Sequence, residues 1–428
     1  MARERLRIWL VKAHEPVPTD GSGVRLLRMA MFAEALAEAG HEVVWWTSTF
    51  FHGGKVQRYE HDETVDVRDN YRIRFVWAPG YRKNLSLARV RNHRAVARRL
   101  REQLDRESKP DIVVSAFPTP ELCAVSAEYG RAEGVPTLID IRDLWPDFLY
   151  TLGPDWARPL IKAGLIPMAR GVRRTMARAT GVIGISQSFM EWGATMGGRK
   201  VGPNDAHFPL GYMPKPPTAE ELAAADAYWD ERGVGRRDDE FIACYFGIIG
   251  ECDDMATCIE AARLLRDGNR PFRFVLAGMG PRVPEYQRAA ADLPNVLLPG
   301  WVEKPHIWSL VRRSKVGLIP VFPGSVDHSL DAIPNKAHEY LYAGLPVLSA
   351  YPGDMERFIE RHGCGQAIQP GDARGLADIL VSLHDDPERY ARLASNAKTA
   401  FDEHLHGAKV YQGLMEHVEA VAARARRQ

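Results

Sequence analysis

The 428-residue sequence has few cysteines and no long apolar run. Its five cysteines are too scattered for a zinc cluster, and we interpret them as reduced thiols. No segment approaches the roughly 18 consecutive apolar residues that a membrane-spanning helix needs. The charged segment Met1 to Leu10 lacks the apolar core of a secretory signal. These absences predict a cytoplasmic protein.

Two further absences narrow the class. An Asp-x-Asp motif, which holds a metal-bridged diphosphate in many transferases, does not occur, so we expect no metal site. Low-complexity tracts and internal repeats are also missing, and hydrophobic residues at 45% with charged residues at 26% are typical of a folded protein. A chain of 428 residues exceeds what one hydrophobic core usually serves, which predicts two domains.

Short apolar segments alternate with helical periodicity along the whole chain. They are residues 6–11, 41–48, 111–117, 136–142 and 181–186, and then 241–250, 272–278, 295–300, 315–321 and 345–350. Strands that alternate with helices form parallel sheets covered on both faces. The pattern predicts an α/β fold of two Rossmann-like, doubly wound domains facing a central cleft, where ligands of such sheets bind.

Proline residues mark the predicted boundary between the domains. Pro214, Pro216 and Pro217 interrupt regular structure before the second series of strands. We predict an N-terminal Rossmann-like domain over 1–213 and a C-terminal Rossmann-like domain over 214–403. The last segment, 404–428, is predicted as a helix that returns to the first domain.

Charge is distributed unequally between the two domains. The chain carries 31 lysine and arginine residues against 24 acidic residues up to Met213, and 25 against 31 after it. Two basic stretches with interleaved apolar residues, 81–101 and 156–178, have the composition of segments that dock on anionic lipid. The alternative is that both are amphipathic helices packed on their own sheet. We expect no nucleic-acid partner.

The segment from Asp331 to Ser349 contains the most informative pattern. Pro334 suits the first position of a helix and Gly344 the residue just past its end, which predicts a helix from Pro334 to Ala343. The free amides of a helix N-terminus bind anions, and Lys336 adds a cation in the first turn. Asn335 lies one turn before Glu339 on the same face. Phosphate at one end and a carboxylate further along suit a nucleotide sugar.

These residues resemble the donor motif of family 4 and related retaining glycosyltransferases, which have the GT-B fold. Asp331 and Glu339 have the spacing of its E-x7-E element, with Asp in place of the first Glu, and the motif P-N-K-x-x-E-Y-x-x-A-G-x-P-V follows. The motif D-x-R-D-L-W-P at 140–146 is similar to bacterial surface-polysaccharide members. The resemblance implies that Glu339 holds the donor ribose and that Asp331 contacts the transferred sugar.

The resemblance also implies further donor-binding residues, of which Val302 offers backbone hydrogen bonds to the base. They are Gly247, Gly250, Gly278, Val302, Ser329, Leu330, Asn335, Lys336 and Glu339. The alternatives are a simple turn at the glycines and a core position for Val302. Many relatives have an Arg and a Lys after the turn at Gly250, where this chain has Glu251, Cys252, Asp253 and Asp254. We therefore expect Lys336 to carry more of the phosphate charge.

Acceptor-side candidates follow the strands of the first domain. Gly21 and Gly23 lie in a loop after the first strand, His52 follows the second, and Asp143 follows the strand that ends at Arg142. A dinucleotide fingerprint at these glycines is not favoured, because they lie about ten residues past the strand and Leu26 replaces the third glycine. Asp143 is the candidate to bind or deprotonate an acceptor hydroxyl, with His52 as a second candidate.

The predicted function is retaining, metal-independent glycosyl transfer, with Asp331, Lys336 and Asp143 as catalytic candidates. We expect no cofactor, a uridine rather than a guanosine diphosphate sugar as donor, and a glycan or polyprenyl-linked acceptor. The resemblance implies front-face attack, with the leaving phosphate assisting deprotonation of the acceptor. The enzyme is predicted to be cytoplasmic and peripheral at the inner face of the membrane. Three alternatives are a sugar-nucleotide epimerase, a transferase for a soluble acceptor, and a non-catalytic nucleotide-binding module.

Overall fold

The computed structural model describes residues 4–21, 24, 26–84, 86–150, 154–235, 240–250, 252–268, 270–323 and 331–427. The chain divides into two compact units. Unit 1 comprises Met1–Gly211 and Gly407–Gln428, and unit 2 comprises Tyr212–His406. The sequence-based boundaries, after Met213 and Glu403, differ from these by a few residues.

Unit 1 is built on an eight-stranded sheet with the order β10-β9-β8-β7-β1-β2-β6-β5, and β3 and β4 form a separate hairpin. Its strands are β1 Arg7–Val11, β2 Glu42–Ser48, β3 Phe50–Phe51, β4 Val56–Gln57, β5 Glu63–Arg68, β6 Tyr71–Val76, β7 Ile112–Phe117, β8 Thr137–Ile141, β9 Gly181–Gly184 and β10 Ala206–His207. Its helices are α1 Arg28–Glu38, α2 Leu87–Leu104, α3 Pro120–Glu133, α4 Asp147–Tyr150, α5 Arg158–Arg178 and α6 Gln187–Met196, with 3₁₀ turns at Pro18–Asp20 and Asp155–Ala157.

Burial explains why the central strands are almost entirely apolar. All residues of β7 and β8 are buried, because helices cover both faces of this parallel sheet. The edge strand β5 instead alternates half-buried and exposed residues and pairs antiparallel with β6. Parallel pairing brings the carboxyl ends of β1, β2, β7 and β8 to one edge of the sheet.

Unit 2 is built on a six-stranded sheet with the order β13-β12-β11-β14-β15-β16, and every recorded pairing in it is parallel. Its strands are β11 Phe241–Ile248, β12 Phe272–Met279, β13 Val296–Leu297, β14 Val316–Ile319, β15 Val347–Ser349 and β16 Gly365–Ala367. Its helices are α7 Ala219–Glu231, α8 Met255–Asp267, α9 Val283–Ala289, α10 Lys304–Arg313, α11 Asn335–Tyr342, α12 Asp354–His362, α13 Ala373–Asp385 and α14 Pro387–Ala400, and a π-helical turn follows at Phe401–Leu405.

The last helix, α15 (Gly407–Ala425), belongs to unit 1 although unit 2 precedes it in the chain. Its apolar face, which includes Tyr411, Leu414 and Val418, lies in the same core cluster as Phe32 and Leu36 of α1. A buried histidine adds a polar contact, because the His41 ring lies 2.9 Å from the Glu419 carboxylate. Full burial of each large apolar side chain stabilises the unit by about 1.5–3 kcal/mol. Unit 1 is therefore closed by a segment distant in sequence.

The predicted fold class is confirmed, because both units are α/β with parallel sheets of the Rossmann type. Each of the predicted strand segments contains a strand. The predictions for the strands were too long where the chain turns, as at 295–300, of which only Val296–Leu297 is a strand. The strands outside the predicted segments are β3, β4, β5, β6, β10 and β16.

Candidate active site

Helix α11 lies at the centre of the candidate donor site in unit 2. Pro334 is its N-cap residue rather than its first helical residue, because its ψ of 147° is extended, and the helix ends at Tyr342 rather than at Ala343. Gly344 follows with a φ of +73°, a conformation that favours glycine. The prediction of a bracketed helix is thus confirmed with bounds one residue shorter at each end.

Tyr340 fixes this helix on the sheet. Its hydroxyl lies 3.2 Å from the Cys244 carbonyl oxygen of β11 and 3.3 Å from the Leu318 carbonyl oxygen of β14. A Cβ atom on Gly317 would lie 2.3 Å from the Tyr340 ring, so glycine is required beneath the ring. The first turn of α11 is therefore held rigidly at the carboxyl end of the sheet.

Lys336 is the cation of this first turn. Its ammonium nitrogen lies 3.3 Å from Oδ1 of Asp253 and 3.8 Å from the centroid of the Tyr245 ring. Burial lowers the pKa of Lys336, and the Asp253 carboxylate acts in the opposite direction. Lys336 is thus a desolvated cation held in place by one carboxylate and one aromatic face.

Asp253 also binds the turn at the end of β11. Its Oδ2 accepts a 2.9 Å hydrogen bond from the Gly250 amide. Gly250 and Lys336 are two of the groups predicted to bind the donor diphosphate, and a carboxylate contacts both. The neighbouring Asp254 has a different role, since it caps α8 by accepting a hydrogen bond from the Thr257 amide. Asp253 and Asp254 therefore both have structural contacts in this turn.

The predicted glycines occupy two paired strand ends. Gly247, with a φ of +132°, is in register with Gly278 of β12. A Cβ atom on Gly278 would lie 2.1 Å from the Gly247 carbonyl oxygen, and one on Gly280 would lie 1.9 Å from the Ile249 carbonyl oxygen. Close packing of the chain against itself accounts for Gly278 and Gly280. At Gly247 the nearest atom to such a Cβ would be Cε of Lys336, at 3.8 Å.

The two acidic residues of the motif lie before helix α11 and within it. Asp331 accepts hydrogen bonds of 2.8 Å at Oδ1 from the Asp354 amide and from Arg357, which ties it to the start of α12. Glu339 is half-buried and borders a small pocket of about 100 Å³ together with Trp308. Asn335 is exposed. The contacts of Asp331 explain a shorter acid at this position, because Gly353 approaches its carboxylate closely.

The remaining donor candidates are placed as follows. The Val302 side chain is buried in a core cluster of unit 2, which is the core position given as the alternative. Ser329 and Leu330 lie outside the described residues.

Asp143 and His52 lie at strand ends of unit 1. Asp143 accepts a 3.0 Å hydrogen bond from Trp145 Nε1, and burial raises the pKa of its carboxyl. His52 Nδ1 lies 2.6 Å from the Tyr81 hydroxyl and 3.0 Å from the Lys55 ammonium. Burial, followed by the charge of Lys55, lowers the pKa of His52 to about 4. His52 is therefore neutral at pH 7.

The glycines of the acceptor-side loop are only partly described. Gly21 follows the 3₁₀ turn with a φ of +116°, so its conformation itself requires glycine. Gly23 lies outside the described residues. The turn is anchored by Asp20, whose carboxylate forms a salt bridge of 2.5 Å with Arg58.

Two histidines near His52 were missed by the sequence analysis. His14 follows β1 with a φ of +72°, and its ring centroid lies 5.9 Å from that of His52 and 5.3 Å from that of His93. Burial lowers the pKa of His14 well below its ordinary value. The signal for His14 was present, since it directly follows a strand of a parallel sheet, where functional residues collect.

A buried ion-pair network holds these strand ends together. Asp140 accepts hydrogen bonds from Arg28 of α1 and, at 2.7 Å, from Arg142. Arg142 also pairs with Glu15, which follows β1. Although burial raises the pKa of Asp140, the charges of Arg142 and Arg28 hold it below its ordinary value. The first residues of the motif D-x-R-D-L-W-P are therefore the structural support of Asp143.

Neither a membrane-spanning helix nor a metal-binding cluster occurs among the described residues. None of the helices in the described ranges is long and apolar enough to cross a membrane. The same residues include no group of three or more His, Cys, Asp or Glu side chains that could hold a metal ion.

Comparison with protein families gives two consecutive matches. Residues 22–204 match the glycosyl transferase 4-like domain, and residues 240–386 match the glycosyl transferases group 1 domain. The second match contains the donor motif and the first contains Asp143. The resemblance of the motif to glycosyltransferases is thus confirmed at the level of these families.

One curated relative is a glycosyltransferase of amylovoran biosynthesis from Erwinia amylovora. It is 29% identical over 175 residues, which are 39% of this chain and 42% of the relative. The chain therefore aligns with less than half the length of that relative. The likeness extends the comparison to one member from polysaccharide biosynthesis.

Solved structures share the fold over nearly the whole chain. Sucrose-phosphate synthase from Thermosynechococcus elongatus is 15% identical and matches with a TM-score of 0.64, covering 98% of this chain and 100% of that one. HepE from Anabaena, in complex with UDP and glucose, is 14% identical with a TM-score of 0.59, covering 97% of this chain and 100% of that one. At these identities the likeness concerns the fold.

Proposed function

We propose that this glycosyltransferase, which joins a glycosyl transferase 4-like domain to a group 1 domain, moves a sugar from a nucleotide diphosphate sugar to a glycan or polyprenyl-linked acceptor. The observation that carries the proposal is the start of α11, where the half-buried Lys336 lies beside Gly247 at a strand end. A desolvated cation next to free helix amides is a site for an anion.

The donor diphosphate would bind at this helix start. The amides of the first turn point out of the helix, and Gly247 and Gly250 allow a phosphate to approach the backbone closely. Glu339, one turn along from Asn335, is placed to accept hydrogen bonds from ribose hydroxyls. We propose uridine as the base, which is supported by the UDP bound to the similarly folded HepE.

The proposed chemistry retains the anomeric configuration and needs no metal. Lys336 and the helix amides stabilise the negative charge that develops on the leaving diphosphate, and they are positioned before the reaction begins. The acceptor hydroxyl attacks from the face that the diphosphate leaves, and the leaving oxygen accepts the hydroxyl proton. Asp331 contacts the transferred sugar in this scheme, and its contact with Arg357 orients the carboxylate.

We place the acceptor on unit 1, with its hydroxyl at Asp143. The half-buried Asp143 carboxylate would accept a hydrogen bond from this hydroxyl and orient it, while the leaving oxygen takes its proton. The proposed setting is surface polysaccharide synthesis at the inner face of the cell membrane, as the name of the amylovoran relative suggests. The membrane part is supported by the exposed basic face of unit 1, where Leu87 is 86% exposed and Trp156 is 77% exposed.

A thermal-shift screen of nucleotide sugars tests the proposal, because a ligand stabilises only the state that it binds. Uridine diphosphate sugars should raise the melting temperature more than guanosine diphosphate sugars. Transfer to a lipid-linked glycan should then follow with the stabilising donor. Interconversion of the donor without an acceptor would indicate an epimerase, turnover with a soluble acceptor alone would contradict the lipid-linked acceptor, and binding without any turnover would indicate a non-catalytic module.

A further inference from the structure

Unit 1 contains an apolar groove that the donor chemistry does not use. It has a volume of about 440 Å³ and lies between α2, α3, α4 and α5. Its walls are mostly carbon and include Val90, Ala124, Leu149, Leu165 and Met168. This volume is within the range of small-molecule sites, about 300–1,000 Å³.

Arginine side chains line the groove beside Trp145, which contacts Asp143, the residue proposed to bind the acceptor. Arg89 lines the groove, and its guanidinium lies 5.1 Å from the centroid of the Trp145 ring. Trp145 in turn donates its indole hydrogen bond to Asp143. Arg94 also lines the groove, and among the described lining residues the only carboxylate is that of Glu121, which lies 3.6 Å from the His93 ring. The groove therefore connects an arginine pair with the strand end that carries Asp143.

Helix α5 forms one wall of the groove and also exposes apolar and basic residues outside it. The helix buries Val172, Thr175 and Met176, all in its second half. In the first half, Leu160 is 69% exposed and Ile166 is 45% exposed. The whole helix, Arg158–Arg178, contains six lysine and arginine residues and no acidic residue. Such a face is complementary to an amphiphile with an anionic head group.

We infer that this groove binds the hydrocarbon chain of the acceptor, a prenyl diphosphate, with its diphosphate at Arg89 and Arg94. The inference rests on the proposed function, and it specifies the acceptor class. The chain lies in the apolar groove, where burial of hydrocarbon is favourable. The arginines bind the diphosphate by charge and hydrogen bonds. The sugar attached to the diphosphate then extends along Trp145 to Asp143.

Two glycines of α5 provide a matched test. A Cβ atom on Gly171, which lines the groove, or on Gly164, which does not, would meet no atom within 4 Å. The backbone at either site therefore admits a side chain at its Cβ, and replacing a helical glycine raises helix propensity. Gly171→Phe fills the groove, whereas Gly164→Phe adds the same ring to the exposed part of the same helix.

The experiment measures binding of farnesyl diphosphate to the full chain by calorimetry. We expect Gly171→Phe to weaken binding by roughly tenfold or more, since the ring takes the space of the chain, and Gly164→Phe to leave it unchanged. Farnesol, which lacks the anion, and inorganic pyrophosphate, which lacks the chain, should each bind more weakly. Equal affinities of the two variants would overturn the inference. So would farnesol binding as tightly as the diphosphate, or phosphatidylglycerol micelles competing as well as farnesyl diphosphate does.

UDP binding, measured on the same three proteins, separates this inference from the proposed function. If UDP binds and farnesyl diphosphate does not, the assignment of the groove to the acceptor is wrong and the proposed donor site stands. If farnesyl diphosphate binds in the expected order and no nucleotide binds, the proposed function fails while the groove stands.

Discussion

The donor region of unit 2 and the strand ends of unit 1 obtain their functional geometry in different ways. In unit 2, Lys336 and Glu339 lie on one short helix, so local geometry alone fixes the spacing between them. In unit 1, Asp143 depends on Asp140, which is held by Arg28 from a helix more than a hundred residues away. A short motif can specify the first arrangement, whereas the second exists only when the unit is folded.

The largest effect is expected from breaking the buried network of unit 1. Asp140→Ala leaves Arg28 and Arg142 without their shared carboxylate, and an uncompensated buried charge costs about 3–5 kcal/mol. Urea denaturation should show this loss in the free energy of unfolding. Asp378→Ala, at an exposed position of α13, is the control and should change it by less than about 0.5 kcal/mol. A loss as small for Asp140→Ala would mean that the network does not hold the strand ends.

In unit 2, Lys336→Ala should reduce kcat/KM by roughly 30-fold, about 2 kcal/mol, because it removes the cation that we propose faces the leaving diphosphate. Steady-state kinetics with the donor identified by the screen measures the change. Lys398→Ala removes an exposed lysine of the same unit, paired with Asp402, and should leave the rate unchanged. Similar rates for the two variants would exclude Lys336 from the donor site.

Glu339→Ala should weaken UDP binding by about 2 kcal/mol, or roughly 30-fold. The variant loses the half-buried carboxylate that we propose binds the ribose hydroxyl groups. Equilibrium calorimetry with UDP measures the affinity. Glu356→Ala, on α12 of the same unit, is a matched loss of a carboxylate. An unchanged affinity in Glu339→Ala would place the ribose elsewhere.

Asp253→Asn tests whether this carboxylate competes with the donor for Lys336 and the Gly250 amide. Removing the negative charge should strengthen UDP binding by about 1 kcal/mol, or roughly fivefold, an amount typical of a partly exposed ion pair. Asp378→Asn makes the same change in net charge and should have no effect. Weaker binding in Asp253→Asn would show instead that Asp253 positions Lys336 for the donor.

A further prediction concerns the pH dependence of unit 1. The pKa of His52 is lowered to about 4, so below pH 6.5 the unfolded chain binds a proton that the folded chain does not. This group therefore reduces stability as pH falls from about 6.5 to about 4. His52→Gln should make the free energy of unfolding less dependent on pH over this window, with part of the slope left to His14. Denaturation curves from pH 7.5 to 4 measure it, and identical slopes in both proteins would contradict the shift.

The sequence predicted the fold well because its signals are local. Buried parallel strands appear as apolar runs, and each predicted segment contained a strand. Among the missed strands, β5 has a weaker signal, since it lies at the edge of the sheet and buries none of its residues fully. The start of α11 was misplaced by one residue, because proline fits both the N-cap and the first helical position and only ψ distinguishes them.

The sequence by itself determined the two Rossmann-like units, the short helix with Lys336 and Glu339, and the glycines around it, because strand burial and helix periodicity act over a few residues. Only the tertiary structure decided that Asp253 contacts both Lys336 and the Gly250 amide, and that His14 lies beside His52. These contacts join residues far apart in the chain, and packing and charge fix them only once the sheets have formed.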